Sequence, residues 1–279
     1  MGDLRVLWLG FGDLAGRAAA ELLIAGAAVT GVRRSGGEVP AGVTLRRGDG
    51  RDPRLLDELV AGADLVVASY TPDGGDYRSG YLAPAEALAA ALERAPPRSR
   101  TVLWVSSTRV WGAGDGNWVD EETPPRPADD AATLLLAAEA RIRRAPARVA
   151  VVRPAGVYGP GRGRLLARVA AGRFTPAEPL VWSNRIHAAD LARLLVFLAA
   201  RCARGEPIAP LWLACDGRPA PIQEVERWLA ARLGVPYRPA AGAPGPVLGR
   251  RCRSLYLAEA RFALRYPDYR AGYAELTAP

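Results

Sequence analysis

The stretch from Leu4 to Gly36, LRVLWLGFGDLAGRAAAELLIAGAAVTGVRRSG, constrains the fold more than any other. Leu4 to Leu9 is a short apolar run that stops at Gly10 and reads as a buried strand. Gly10, Gly12 and Gly16 follow, with Ala15 before the last. An Ala/Leu-rich segment with helical spacing then leads to a second apolar strand, Ala28 to Val32. Glycines at this spacing, set between strand, helix and strand, form the pattern that binds a dinucleotide. Gly10 permits the tight turn and Gly12 lets backbone approach a pyrophosphate. Small Ala15 and Gly16 let the helix lie close to the strand. The helix N-terminus supplies N–H groups and partial positive charge for the phosphates. Phe11, Asp13 and Leu14 fill out the turn and belong to the predicted cofactor set.

The end of the second strand selects the cofactor. NAD-binding folds usually carry an Asp or Glu there to accept from the ribose 2′-hydroxyl. This chain has Val32-Arg33-Arg34-Ser35, with no acid until Glu38. Two guanidinium groups suit a 2′-phosphate, to which Arg forms bidentate, charge-assisted bonds. The other reading is two solvated arginines in an arginine-rich chain. The expectation is NADP(H).

Composition removes several chemistries. The chain has 279 residues, 49% hydrophobic and 24% charged, enough for a full core as one large or two modest domains. All 37 residues counted as Lys+Arg are Arg. A guanidinium stays charged and neither forms a Schiff base nor shares its proton, so lysine chemistry is excluded. The net charge of +8 raises nucleic acid as a partner, but the arginines are spread along the chain without interleaved aromatic residues. A small-molecule substrate is expected, with no nucleic acid, no membrane and a monomer or homodimer. Cys202, Cys215 and Cys252 are far apart and fit reduced thiols, and no cleavable leader is read in the first residues. The expected setting is cytoplasmic. One histidine and scattered acids give no metal-ligand spacing.

Further along, strands and helices alternate. Strands are expected at Val43–Leu45, Asp64–Ser69, Thr101–Val105 and Arg148–Arg153. Helices are expected from Asp52-Pro53 through Val60, over Leu82–Arg94 and over Asp129–Arg144, with Asp52 an N-cap and Pro53 at the first position. Between them, Tyr70 to Tyr81 is a Gly- and Tyr-rich loop and 113–127 reads as loop. After that come a short helix over 164–171, an irregular stretch over 176–184, and a helix over 189–201. A strand at 211–214, a helix at 222–233, a loop at 236–249 and a last main helix over 255–264 complete the expectation. The fold class is α/β, a doubly wound, Rossmann-like parallel sheet covered on both faces, with a smaller substrate-covering part. The expected boundary lies near residue 160, giving 1–160 and 161–279, with residues near 185–215 returning to the main sheet.

Four motifs in order then carry a resemblance. They are Gly10-Phe11-Gly12-Asp13-Leu14-Ala15-Gly16, Ser106-Ser107-Thr108-Arg109-Val110-Trp111-Gly112, Arg153-Pro154-Ala155-Gly156-Val157-Tyr158-Gly159-Pro160-Gly161 and Arg185-Ile186-His187-Ala188-Ala189-Asp190-Leu191-Ala192. Over nearly its whole length the chain resembles the extended short-chain dehydrogenase/reductase superfamily, in the NAD-dependent epimerase/dehydratase branch. The resemblance implies that Asp49 holds the adenine, that residues near Thr71 wall the cofactor, and that Ser69, Ser106 and Pro154 join that set. It implies that Ser107 is the catalytic Ser/Thr, which hydrogen-bonds a substrate oxygen. Thr108, Trp111, Gly156, Arg162 and Arg185 are the implied substrate contacts.

One departure stands out. The family's catalytic Tyr and Lys, four apart, should begin the helix bearing Leu136-Ala137-Ala138-Glu139; the residues there are Ala131 and Leu135. Neither donates a proton. Tyr158, Tyr81 and Tyr77 are the alternative donors, each also readable as packing. His187 reads as structural, and Asp190 as a first-turn carboxylate on a helix dipole. The leading expectation is an NADPH-dependent reductase of a small carbonyl or imine. The alternatives are a non-catalytic NADP(H)-binding sensor or interaction protein, and a sugar-nucleotide epimerase or dehydratase.

Overall fold

The computed structural model of the chain describes residues 1–72, 74–112 and 114–277. The glycine-turn segment folds as β1 (Arg5–Leu9), α1 (Asp13–Ile24) and β2 (Ala28–Arg33). There follow β3 (Thr44–Arg47), α2 (Pro53–Gly62), β4 (Leu65–Ala68), a π-helical turn (Arg78–Leu82), α3 (Ala83–Arg94) and β5 (Thr101–Val105). A 3₁₀ turn (Thr108–Trp111), β6 (Asp115–Val119), α4 (Asp130–Arg143), β7 (Arg148–Pro154) and β8 (Gly156–Tyr158) come next. The remainder is α5 (Arg164–Ala170), β9 (Trp182–Ser183), β10 (Arg185–His187), α6 (Ala188–Ala203), β11 (Leu211–Ala214), β12 (Ala220–Pro221), α7 (Ile222–Leu233), β13 (Gly249–Cys252), α8 (Leu255–Glu259) and α9 (Tyr269–Leu276).

Seven strands form one sheet in the order β11-β7-β5-β4-β1-β2-β3, and the pairings from β3 to β7 are parallel. This is the expected doubly wound sheet. All residues of β4 and β5 are buried, which requires cover on both faces. Trp8, Leu7, Leu9, Leu65, Leu103 and Trp104 are fully enclosed there, each contributing roughly 1.5–3 kcal/mol by burial. Helix starts follow the local chemistry. The Asp52 carboxylate accepts from Arg54 N–H with Pro53 at the first position of α2, and Asp129 caps α4 by accepting from Ala132 N–H.

The chain makes two compact units that interleave in sequence. The first comprises Met1–Val110, Asp129–Arg153 and Ala192–Trp212; the second comprises Trp111–Ala128, Pro154–Leu191 and the chain from Leu213 on. A single boundary near 160 therefore does not describe the division, because 111–128 belongs to the second unit and 192–212 to the first. Two segments expected to be irregular also carry strands. Residues 115–119 form β6, paired in parallel with β13, and residues 182–183 form β9, paired with β12. Neither has an alternating apolar pattern, so only long-range pairing defines them. The helix expected over 255–264 ends at Glu259, and the last helix is α9, capped by Asp268. The second unit has its own core, in which Tyr158, Val169, Val225, Leu229, Tyr269 and Tyr273 pack together.

No helix among the described residues is long and apolar enough to cross a membrane.

Candidate functional site

The turn after β1 is built as a tight backbone knot. Gly10 has φ +76, and a Cβ there would lie 2.8 Å from the Ser69 carbonyl oxygen, so only glycine fits. The N–H groups of Gly10 and Phe11 both donate to the Val32 carbonyl at 3.1 and 2.9 Å. The Phe11 ring is buried over Gly31, where a Cβ would sit 2.3 Å from it, and meets Trp8 edge-on at 6.5 Å. Phe11 therefore anchors the turn from below. Ser69 does likewise: its hydroxyl accepts from Trp8 Nε1 at 2.8 Å and donates to the Gly10 carbonyl at 3.2 Å.

Above the knot, α1 begins at Asp13 with no side-chain cap on Gly12, and its first i→i−4 bond runs from Gly16 N–H to the Gly12 carbonyl. The preceding amides, at Asp13, Leu14 and Ala15, stand at the positive end of the helix. An added Cβ at Gly12 meets nothing within 4 Å, so the space over the turn is open. The same holds at Gly16, so its small size is not what seats the helix; fully buried Ala15 does that. An open glycine turn under an uncapped helix N-terminus fits the pyrophosphate of a dinucleotide.

At the end of β2 the two arginines differ. Arg33 donates Nε and Nη2 to the Ser35 and Glu38 carbonyls at 3.1 and 3.2 Å, shaping the loop that follows. Arg34 is exposed. Asp49, after β3, accepts from the Arg51 guanidinium at 2.6–3.2 Å and from the Arg51 amide. Those bonds hold its carboxyl below the usual range despite partial burial. Thr71 is exposed. Next to it the Tyr70 hydroxyl donates to the Gly50 carbonyl at 2.9 Å, and burial pushes that phenol up.

The end of β5 separates two adjacent serines. Ser106, 3% exposed, donates to Glu139 Oε1 at 2.6 Å, and Glu139 accepts from Arg153 Nε and Nη2 at 2.9 and 2.7 Å. Ser106 thus belongs to a buried network of β5, α4 and β7. Ser107 is half-buried, and its hydroxyl accepts from Arg109 N–H at 3.1 Å, which leaves its own proton to donate. Thr108 is buried in the 3₁₀ turn. Arg109 pairs with Asp129 at 2.8 Å and lies 5.3 Å over the Tyr77 ring, which stacks on Tyr81 at 5.5 Å. Tyr81 is 8% exposed, and burial pushes its phenol up to about 12, which makes it a packing residue rather than an acid. On α4, Ala131 is half-buried and Leu135 is fully buried core.

The second unit holds the remaining predicted residues. Trp111 is buried and donates Nε1 to the Thr123 carbonyl at 2.9 Å. Pro154 is buried at the end of β7, Gly156 is exposed in β8, and Arg162 is half-buried in a turn closed by its own N–H. Tyr158 is 3% exposed. It stacks on Tyr273 at 4.6 Å, meets His187 edge-on at 5.2 Å and donates to the Asp268 carbonyl. Gly272 stands against its hydroxyl so tightly that a Cβ would collide, and burial raises the phenol far above its ordinary value. Tyr158 as proton donor is therefore corrected to core packing. His187 lies 3.8 Å from the Tyr266 ring, and Ala189 N–H donates to its Nδ1 at 3.3 Å, a structural placement. Asp190 does more than favour a dipole, since it accepts from the amides of Arg265 and Tyr266 at 2.8 Å. Arg185 is buried, donates to Ser183 Oγ at 2.9 Å and lies 5.8 Å over the Tyr269 ring.

Four residues carry roles that the sequence does not reveal. Gly31 looked like an ordinary strand residue, and its role exists only because Phe11 folds over it. Glu139 and Arg153 both lie in motifs read above, but nothing in either motif marks their pairing, which joins α4 to β7. Asp216, 6% exposed, was unremarkable in a polar turn. Among the described residues no group of His, Cys, Asp or Glu is gathered to hold a metal ion.

No family model matches the chain, and no curated protein matches it. Solved structures do. The chain is 34% identical to a protein described as an NAD-dependent epimerase/dehydratase from Methylobacillus flagellatus, with a TM-score of 0.83 over 98% of this chain and 97% of that one. MoeE5 in complex with UDP-glucose and NAD is 23% identical, with a TM-score of 0.77 over 98% and 97%. The dTDP-glucose 4,6-dehydratase of Bacillus anthracis in complex with NAD is 14% identical, with a TM-score of 0.77 over 98% and 95%. The last two share the fold. With the first, at 34% identity along the whole chain, they complete what the glycine turn and the β5 motif indicated: the chain belongs to the NAD-dependent epimerase/dehydratase family of extended short-chain dehydrogenases/reductases.

Proposed function

We propose that the chain is an NADP(H)-dependent oxidoreductase that reduces a carbonyl or imine group. The observation that carries this reading is Ser107. It stands half-buried just past the C-terminal end of β5, in the same parallel sheet as the glycine turn, with its oxygen accepting Arg109 N–H and its proton left to donate. A hydroxyl held that way polarises a substrate oxygen or nitrogen. The Gly12 turn and the first amides of α1 would hold the pyrophosphate, and Arg34 the 2′-phosphate. Bound there, the cofactor supplies the two-electron reducing equivalent. Ala131 and Leu135 offer no proton, so an imine that arrives protonated suits the site as well as a ketone.

The test is the purified chain with NADPH and a panel of ketones and cyclic imines. Loss of NADPH absorbance with at least one member is expected. Cofactor binding without turnover across the panel would instead favour a non-catalytic NADP(H)-binding protein. The 2′-phosphate assignment has its own check. Arg34→Ala should weaken NADPH by roughly tenfold to a hundredfold and NADH little. Arg33→Ala, whose guanidinium serves the loop carbonyls, should cost less. Equal loss for both cofactors would remove the assignment.

A second reading, epimerisation or dehydration of a sugar nucleotide, is favoured by the family itself. Conversion of UDP-glucose with no net consumption of cofactor would establish it.

A further inference from the structure

Resting on the reductase reading above, we infer that Tyr77 is the proton donor for a carbonyl substrate, a task that Ala131 and Leu135 leave open. Four groups of the first unit converge at the end of β5. Arg109 is tied by its amide to Ser107 Oγ at 3.1 Å and by its guanidinium to Asp129 at 2.8 Å. Asp129 is the N-cap of α4, two residues before Ala131. The same guanidinium lies 5.3 Å over the Tyr77 ring. One arginine therefore links the substrate-polarising serine, the helix start that lacks a tyrosine, and a tyrosine that enters from the segment before the π-helical turn.

Among the tyrosines that sequence reasoning offered, only Tyr77 keeps a face to solvent. Tyr81 is 8% exposed beneath it and Tyr158 is 3% exposed in another core. Stacking on Tyr81 at 5.5 Å fixes the Tyr77 ring. The Arg109 guanidinium, itself paired with Asp129, seats over the ring and holds it at the end of β5 that carries Ser107. Arg109 is itself held above the ordinary guanidinium value, first by its bonds to Asp129 and then by the Tyr77 phenol.

The step balances. The substrate carbon gains a hydrogen with two electrons from the reduced dinucleotide, and the C=O π pair moves onto oxygen. Tyr77 Oη–H supplies the proton that completes the alcohol, and water returns a proton to the phenolate.

Tyr77→Phe tests this while keeping the ring, the stack on Tyr81 and the contact with Arg109. With a ketone that the wild type reduces, kcat should fall by roughly 10²- to 10⁴-fold while the NADPH dissociation constant, read by fluorescence, stays put. A cyclic imine that arrives protonated should lose far less. A ketone kcat within about threefold of wild type would overturn the donor and leave the reductase reading standing. A wild type that binds NADPH but reduces nothing would overturn both. A readout without turnover uses the full chain free of cofactor. Nitration by tetranitromethane, mapped by peptide mass, should reach Tyr77 ahead of Tyr81 and Tyr158. A Tyr77 that stays unmodified while either of those reacts would overturn the proposal, because a proton donor must be reachable.

Discussion

Glu139 in the first unit and Asp216 in the second are both carboxyls buried near an arginine, and their surroundings treat them in opposite ways. In the first unit Glu139 is fully buried. It accepts from Arg153 Nε and Nη2, from the Ser106 hydroxyl at 2.6 Å and from Arg143 at 3.0 Å. Burial pushes its carboxyl up, but those partners outweigh burial and hold it below the ordinary range. In the second unit Asp216 is 6% exposed and accepts the Arg218 amide at 3.0 Å, while nearby Arg185 spends its guanidinium on Ser183 and the Tyr269 face. Burial dominates there, and the Asp216 carboxyl is pushed up to about 7. A buried acid is kept charged by directed hydrogen bonds, not by proximity to a cation alone.

The signs with pH follow. Glu139 contributes stability that is present above its unfolded value and fades as pH falls. Asp216 keeps its proton in the native state when the unfolded chain has released it. Its contribution therefore falls as pH rises from about 4 to about 7 and is level above that.

The largest expected effect breaks the closed network. Glu139→Gln leaves Arg153, 3% exposed, without its carboxylate, and removing one partner of a buried pair costs about 3–5 kcal/mol. Urea unfolding should show a lower midpoint at unchanged slope. A loss below about 1 kcal/mol would mean that the network is no tighter than a surface pair, and the contrast with Asp216 would collapse.

Asp216→Asn sharpens the contrast from the other side. The variant should lose the wild-type decline in stability between pH about 4 and about 7 and be the more stable protein above it. The gain is at most on the order of 4 kcal/mol, from a carboxyl raised from 3.8 to about 7. Parallel stability curves for the two proteins across that range would show that Asp216 titrates as an exposed acid.

What could be read from the sequence divides along the same line as these two carboxyls. The glycine turn, the apolar strands and the Asp52 cap were legible because their causes are local: a φ only glycine adopts, an unbroken apolar run, a side chain that caps its own helix. β6 and β13 were not, since each is a strand only because the other pairs with it across more than a hundred residues. The site residues follow suit. Gly10 and Gly12 could be assigned from spacing, whereas Tyr158 looked available in its motif. Its burial depends on Gly272 and Tyr273, far along the chain. Ser106 and Ser107 are the sharpest case. Neighbours in a single motif, they part company only because Glu139 is presented from α4 to one of them.

That pair gives the smallest and most discriminating effect. Ser106→Ala removes one hydrogen bond to a charged group but leaves Glu139 with Arg153 and Arg143, so the cost should be about 1–2 kcal/mol. The sequence motif puts Ser106 in the cofactor set; its geometry turns the hydroxyl into the core. The two views part in measurement. A stability loss with NADPH affinity changed by less than about threefold fits a hydroxyl committed to Glu139. Weakened NADPH binding at full stability would return Ser106 to the cofactor and make Glu139 a carboxylate that Arg153 and Arg143 keep charged without it.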